Sequence, residues 1–497
     1  MSHSSIKSKL QAIVGNKYIT DDKVELYCYS HDFPSRALST IDNSYKFMAD
    51  YIVKPQNSDQ IKSVIAFANE EKLKLIPRGA GTSLVGQYIP VEGGIVLDFN
   101  CMNNVLEINT EDNYAIVEPG VLYRDLGNQL RDVGRGYWIP CNPGSADVCT
   151  IGGMIANDAS GESAIKYGTT RDYVLNMDVI LGSGQEIKLG RLVKKTVSGL
   201  DLLSLFIGSE GTLGVITKST LQFLALPEAF ITVLSHFDSI ESAIKTAKEI
   251  KDNFTPMSLE IIDQLVINGM NSYLSRLTPK LELKITPAAL MIRLDGDKEI
   301  VMNQANKIAK LISEKGGSSN TGILKGIEHE YIWKARDGAG PSLMRVLRPF
   351  RYARTFLPAV LDFTVPFSKI SVLMQKLDEI MKKNNIACSR LGHLGDGNVH
   401  LLGSLELKSK EDMIKLGKIQ DELIKMTTSF GGSLTAEHGC GIWKAPYLSR
   451  EHGKDVIEFM RKIKSIFDPN NILNPEKLYF PKGIAQFSNY DMSKHGE

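Results

Sequence analysis

The stretch PRGAGTSLVG, residues 77–86, follows a short apolar run, LKLI, that reads as a strand. Its three glycines let backbone N–H groups approach a ligand closely, Thr82 and Ser83 add hydroxyl donors, and Arg78 adds charge. That combination suits a pyrophosphate. The spacing does not fit the doubly wound dinucleotide fingerprint, because Gly86 follows Gly81 by five residues where that motif needs three, and there is no P-loop lysine. One such loop describes a surface turn equally well. Two more follow, however: NPGSADVCTIGGMIANDASGESAIKYG (142–168), dense in small residues, and IGSEGTLGVI (207–216), with glycines at 208, 211 and 214. Three loops, each beside a strand, imply a long ligand lying against backbone. A dinucleotide fits that better than a single phosphate.

The segments around the loops alternate strand and helix signals. DYIVKP reads as a strand stopped by Pro55; Ser58 then reads as the N-cap of a helix with Ile61, Val64, Ile65 and Ala68 on one face. A helix is expected over Val121–Val133. LNMDVILGSGQEIKL reads as a hairpin, and GTLGVITKSTLQFLAL as a strand ending before Pro227. Beyond 227 a strand–helix unit occurs three times: FITVLSHF with the helix marked by Ile240, Ala243, Ile244, Ala247 and Ile250; AALMIRLDG with a helix over 298–314; and AVLDFTVPFSKISVLMQKLDEIMKK. This predicts an antiparallel sheet with helices on one face. The fold class is α+β: a first domain over 1–227, a second, cap-like domain over 228–440, and a segment over 441–497 that returns to the first.

With 497 residues, 43% of them hydrophobic, the chain can build a large core, and 58 basic against 57 acidic residues leave no global field for nucleic acid. No apolar run reaches the roughly 18 to 20 residues that span a bilayer. The N-terminus lacks the apolar run and cleavage motif of a secretory signal, so a cytoplasmic location is expected. Six cysteines without a C-x-x-C pair exclude a ferredoxin-type cluster within the chain.

The stretch SRLGHLGDGNVHLLGS (389–404) sets His393 and His400 around Gly-Asp-Gly-Asn, which cannot hold a helix. Either a hairpin turn packs two structural histidines, or it folds both imidazoles toward one metal ion. GGSLTAEHGCGIWK (431–444) adds Glu437 and His438. Two imidazoles and a carboxylate suit a divalent cation with open positions, although spacing alone favours the packed-histidine reading. Cys440 ranks behind Glu437 as a ligand, and Asp396 and Asn398 are expected to shape the turn, with contact to a bound cofactor the alternative for Asn398.

The order PRGAGTS, VEPGV, TIGGMIANDASG, YG, GSEGTLGVI resembles the FAD domain of the vanillyl-alcohol-oxidase, or p-cresol-methylhydroxylase-type, flavoproteins. GHLGDGNVH and EHGCG resemble their branch of D-lactate, glycolate and D-2-hydroxyglutarate dehydrogenases, and the similarity runs from about residue 20 to 480. The resemblance implies that Arg78, Gly79, Ala80, Gly81, Thr82 and Ser83 cradle the FAD pyrophosphate. It places Pro143, Gly144, Gly152, Gly153, Asn157, Ser160, Gly161 and Gly214 along the cofactor, Ile216 on its adenine side, and Asn474 near the flavin. Thr82 stands where some relatives attach FAD through a histidine, so noncovalent FAD is expected; Cys149 is expected to be a small buried residue. The resemblance also implies a divalent cation on His393, His400 and Glu437, reversing the order of the two histidine readings. Zinc is the first expectation; manganese, iron and cobalt accept the same ligands.

The implied reaction oxidises a 2-hydroxy acid to the 2-oxo acid, with His438 as base and Arg336, in YIWKARDGAGPSLMRVLRPFRYARTF (331–356), as carboxylate clamp. Arg345, Arg348, Arg351 and Arg354 are weaker clamp candidates. Val360 stands where the hydroxyglutarate enzymes carry lysine and Leu402 where they carry asparagine, so a smaller or more apolar D-2-hydroxy acid such as D-lactate is expected. The electron acceptor is open between a quinone and an electron-transfer protein. A homodimer and a peripheral position at a membrane also stay open. The rival readings are a flavin alcohol oxidase, a flavin subunit of a glycolate-oxidase-like complex feeding an iron–sulfur partner, and a nonhaem iron oxygenase.

Overall fold

The structure is a computed structural model that describes residues 3–32, 35, 47–278, 280–316, 321–339, 342, 355–356, 362–405 and 409–479. Two compact units divide the chain: 1–160, 169–226 and 437–497 form the first, 161–168 and 227–436 the second.

In the first unit, the strand Ile95–Asp98 lies between Tyr51–Val53 and Leu75–Arg78 and runs parallel to both. All four of its residues are buried, as a strand covered on both faces requires. The helix Ser58–Glu71 covers this sheet with Ile61, Val64, Ile65, Phe67 and Ala68. Its cap is Asn57, whose side chain accepts from the Gln60 amide, so the cap falls one residue before the expected Ser58. The parallel strand Leu75–Arg78 delivers PRGAGTS at its carboxyl end, the usual place for a ligand loop in such sheets.

A second, antiparallel sheet follows the order Val105–Asn109, Tyr114–Val117, Gly214–Gln222, Val174–Leu181, Glu186–Gly190. The last two strands are the expected hairpin. The helix expected over 121–133 is shorter, Tyr123–Arg131. The chain end re-enters this unit: the Leu75 amide donates to Ile472 O, and the Asn474 amide to Leu75 O. Buried Lys464 donates to Thr212 O and Leu473 O and pairs with Asp468, fixing the last helix, Lys454–Phe467, against that re-entry.

The second unit is an antiparallel sheet. Its path runs Gly322–Leu324, Ala229–Phe237, Ala288–Gly296, Ser258–Asp263, Ala387–His393, Asn398–Leu405, Thr355–Phe356, with Asp362–Thr364 also paired to Asn398–Leu405. Helices Gln264–Leu274 and Ile327–Asp337 pack on the face carrying Leu234, Ile262, Ala289 and Met291. Ile240–Asn253 and Lys298–Glu314 contact the same strands but contribute nothing to that cluster. Val233, Leu259, Ile261, Leu290 and Ile292, which alternate onto the other face, are buried as well. Helices therefore cover both faces, where one was expected. Central strands with no solvent-facing position demand it.

Candidate active site

The first unit holds a cavity of about 410 Å³, within the range of small-molecule and cofactor sites. Arg78, Gly79, Ala80, Gly81, Thr82 and Ser83 line it, as do Pro143, Gly144, Gly152, Gly153, Asn157, Ser160, Gly214 and Ile216. All three glycine loops therefore converge on one space. Gly81 shows why the first loop needs glycine: its φ is +71°, and a Cβ there would strike the Arg78 guanidinium. Arg78 stacks on Tyr29 at 4.2 Å and Tyr88 at 5.1 Å from the ring centres, while Tyr29 donates to Asp98 at 2.7 Å. The aromatic stack holds the guanidinium without neutralising it. Its Nε is buried with no hydrogen-bond partner among the described residues. A buried, cationic donor beside a glycine cradle fits a pyrophosphate.

Two of the expected cofactor residues lie elsewhere. Gly161 belongs to the second unit and does not line the cavity, because the chain leaves the first unit after Ser160. Asn474 stands behind the wall: its side-chain amide donates to Gln87 O and Glu210 O, both at 2.7 Å, tying together two segments that do line it. Cys149 lines the cavity as a buried thiol whose pKa desolvation pushes up to about 11, which suits an inert wall residue.

Glu437 and His438 line this same cavity, with His438 Nε2 at 3.4 Å from Glu437 Oε1. Three side chains from the glycine-loop region hold their loop. Asn157 Nδ2 donates to Glu437 O at 2.8 Å; Gln87 Nε2 donates to Asn157 Oδ1 at 2.6 Å; Glu210 accepts the Cys440 and Gly441 amides at 2.7 and 2.9 Å. Burial pushes the Glu210 carboxyl up, against the pull of those amides and Gln87. Lys477 is buried behind them, and desolvation takes its amine down to about 7 despite the nearby carboxylates.

In the second unit, the Gly-Asp-Gly-Asn turn does make a hairpin. Leu391 faces His400 in the register, and the two-residue alternation of a strand then puts His393 on His400's side of the sheet. The imidazole centres are 5.1 Å apart and nearly perpendicular, at 88°. Asp396 shapes the turn by accepting the Asn398 amide, and Gly397 takes φ +87°.

The next strands outward put a carboxylate beside each ring. Glu260 pairs in register with His393, and Asp362 with His400. Glu260 Oε1 lies 2.6 Å from His393 Nδ1, and Asp362 Oδ1 lies 3.5 Å from His400 Nδ1. A carboxylate only accepts, so Nδ1 of His393 carries the proton, and the 3.3 Å approach of Arg336 Nη2 to that nitrogen is not its hydrogen bond. Asp362 is itself held by Asn398 Nδ2 at 2.7 Å, Thr435 Oγ1 at 3.2 Å and the Ala436 amide at 3.1 Å, one residue before Glu437. Asn398, expected in the turn, thus supports a carboxylate.

Arg336 is buried, and its Nε and Nη2 donate to Glu260 Oε2 at 3.0 and 2.5 Å. Burial opposes the charge on Glu260, but Arg336 and then His393 hold its carboxyl below the usual range. Arg345, Arg348, Arg351, Arg354 and Val360, and the side chain of Leu402, lie outside the described residues. Sequence reading missed Glu260, although an acid between apolar neighbours in the run SLEIID, which the structure buries throughout, signals a charge with a partner.

The family described as FAD linked oxidases, C-terminal domain, matches residues 226–478, and an FAD binding domain matches 49–190. The chain is 34% identical over 482 residues to glycolate oxidase subunit GlcD of Bacillus subtilis, covering 96% of this chain and 97% of that one. It is 32% identical over 434 residues to a probable mitochondrial D-lactate dehydrogenase of Danio rerio, covering 86% and 84%. Among solved structures, p-cresol methylhydroxylase with substrate bound superposes with a TM-score of 0.76 at 15% identity, over 96% of each chain. No helix among the described residues is long and apolar enough to cross a membrane.

Proposed function

The chain belongs to the FAD-linked oxidases with a p-cresol-methylhydroxylase-type FAD domain, and on that footing we propose that it oxidises a D-2-hydroxy acid of lactate-like size to the 2-oxo acid. It is an FAD-linked oxidoreductase of hydroxy acids. The observation that carries the finer reading is that Glu437 and His438 line the same cavity as the three glycine loops. A carboxylate and an imidazole in the wall of that cavity support a reading in which His438 acts on the substrate alcohol.

FAD would be held noncovalently, Thr82 offering no attachment, and would supply the hydride acceptor; His393, His400 and Glu437 are the residues that would hold a divalent cation, whose chemistry would be to lower the pKa of the α-hydroxyl. Glu260 beside His393 Nδ1 and Asp362 beside His400 Nδ1 support a reading in which Nε2 of each ring would be the ligand. His438 takes the hydroxyl proton. Arg336 receives the substrate carboxylate beside its Glu260 pair. Zinc is the first expectation for the ion. The second reading, a flavin subunit that hands electrons to an iron–sulfur partner, is favoured by the similarity to a protein named as a glycolate oxidase subunit.

The test is anaerobic. Purified protein is assayed for metal and mixed with paired D- and L-hydroxy acids while the flavin absorbance is followed. D-lactate is expected to bleach it and L-lactate not. A chelator should stop bleaching while the protein stays yellow, and zinc should restore it. His438→Asn should keep the colour and lose bleaching; unchanged bleaching removes His438 from the reaction, and bleaching by hydroxyglutarate but not lactate overturns the substrate size.

A further inference from the structure

Within the first unit the loop Glu437–Gly441 has no regular secondary structure to fix it, yet it carries the residue assigned as base. What fixes it comes from far away in sequence. Glu210, buried and 230 residues distant from Cys440, receives the Cys440 amide on Oε1 and the Gly441 amide on Oε2. Gly439 lies between, at φ +78°, where a Cβ would strike the Gln87 amide and press on Asn157 Oδ1 and Glu210 Oε1. The loop therefore lies flat on the polar ends of these three residues with no room for a side chain. Asn474 closes the arrangement from behind by donating to the backbone of both Gln87 and Glu210.

We propose that Glu210 is the positioning residue of the His438 loop: by accepting two consecutive amides it sets where the His438 imidazole stands in the flavin cavity. The proposal rests on the reading of His438 as base. The geometry asks for a carboxylate here. Each oxygen accepts one of two consecutive amides, and charge-assisted bonds to backbone amides are stronger and more directional than neutral ones. A glutamine of the same shape accepts one of the two amides and turns its own NH2 toward the other, which pushes the loop away on that side. Glu210 touches the loop and not the proton in transit, so its effect on the reaction passes through His438.

The test is a double-mutant cycle on the holoprotein with anaerobic bleaching by D-lactate. Glu210→Gln is expected to keep its flavin spectrum and to lower the saturating bleaching rate at least about tenfold, a loss of ~1.4 kcal/mol, with the substrate concentration at half-rate changed far less. Combined with His438→Asn it should add no further loss, because the base that Glu210 positions is already gone. Losses that multiply, or a rate in Glu210→Gln equal to wild type, overturn the proposal. Hydrogen exchange provides the readout that does not depend on activity. The Cys440 and Gly441 amides should be protected in wild type and lose protection in Glu210→Gln, with amides outside the loop unchanged. If His438→Asn bleaches normally, the reading of the base has failed, and exchange alone decides whether Glu210 holds the loop. Should Glu210→Gln not fold, fast exchange at both amides in wild-type protein overturns the proposal and slow exchange supports it.

Discussion

Glu260→Gln tests the row of side chains across the second unit most directly. Glu260 is fully buried, and its two oxygens hold Arg336 and His393. The substitution preserves volume and removes the only charge within hydrogen-bonding distance of the Arg336 Nε and Nη2 groups in the described structure. Breaking a buried ion pair by removing one partner costs about 3–5 kcal/mol, and Asp337, more exposed and 3.6 Å from Arg336 Nη1, replaces neither hydrogen bond. In a unit of about 200 residues each kcal/mol lowers Tm by about 2–4 °C, so a fall of about 6–20 °C is expected for the flavin- and metal-free protein. Loss of the carboxylate on His393 Nδ1 should independently weaken zinc binding about 10- to 100-fold. Thermal unfolding of apoprotein and zinc titration read the two effects separately. Glu260→Gln combined with Arg336→Met, which removes both charges, should recover more than half of the lost stability while zinc binding stays weak. A Tm within about 2 °C of wild type for the single variant, or a double variant less stable than the single, refutes the buried-pair reasoning.

Two further outcomes follow from the same geometry. Gly81→Ala forces a left-handed residue to carry a Cβ against the Arg78 guanidinium, a strain of about 1–2 kcal/mol before the arginine moves. FAD affinity should fall about tenfold or more, read by flavin retention on dialysis, and full retention counts against the cradle. Asp263, which caps the helix Gln264–Leu274 and accepts the Val266 and Arg390 amides, has its carboxyl pushed up to about 6 by burial. The folded form then binds more protons than the unfolded form between 3.8 and about 6, so this group makes the protein lose stability as pH rises through that window. Asp263→Asn lacks the term: denaturant unfolding should show the variant gaining on wild type between pH 4 and pH 6 and the difference levelling above. A difference that does not change with pH shows that the acid is not desolvated as described.

The glycine loops were legible in the sequence because what they do is local. A loop that must approach a ligand with its backbone needs glycine at fixed offsets, and the three loops on the cavity carry that signature within a few residues each. The histidine pair was legible for a related reason: Gly-Asp-Gly-Asn can only turn, and a turn between strands brings 393 and 400 onto one face. Spacing could not say which of two readings held, and a wrong guess of one residue at the helix cap, Asn57 for Ser58, shows how little separates neighbouring polar residues at a boundary.

Partners contributed by distant segments were beyond sequence reading. Glu260 meets His393 across 133 residues, Asn157 holds Glu437 O across 280, and Glu210 grips the Gly441 amide across 231. Nothing local to 260 says which strand lies beside it, because register is decided by the packing of the whole sheet. Gly161 makes the same point in reverse, since it shares a motif with Ser160 yet leaves the cavity when the chain crosses into the other unit. The sequence by itself determined which short segments bend close to a cofactor and which residue types could ligate or move a proton. Only the tertiary structure decided which buried carboxylates stand behind them, because a charge is tolerated inside a protein only where distant segments meet to neutralise it.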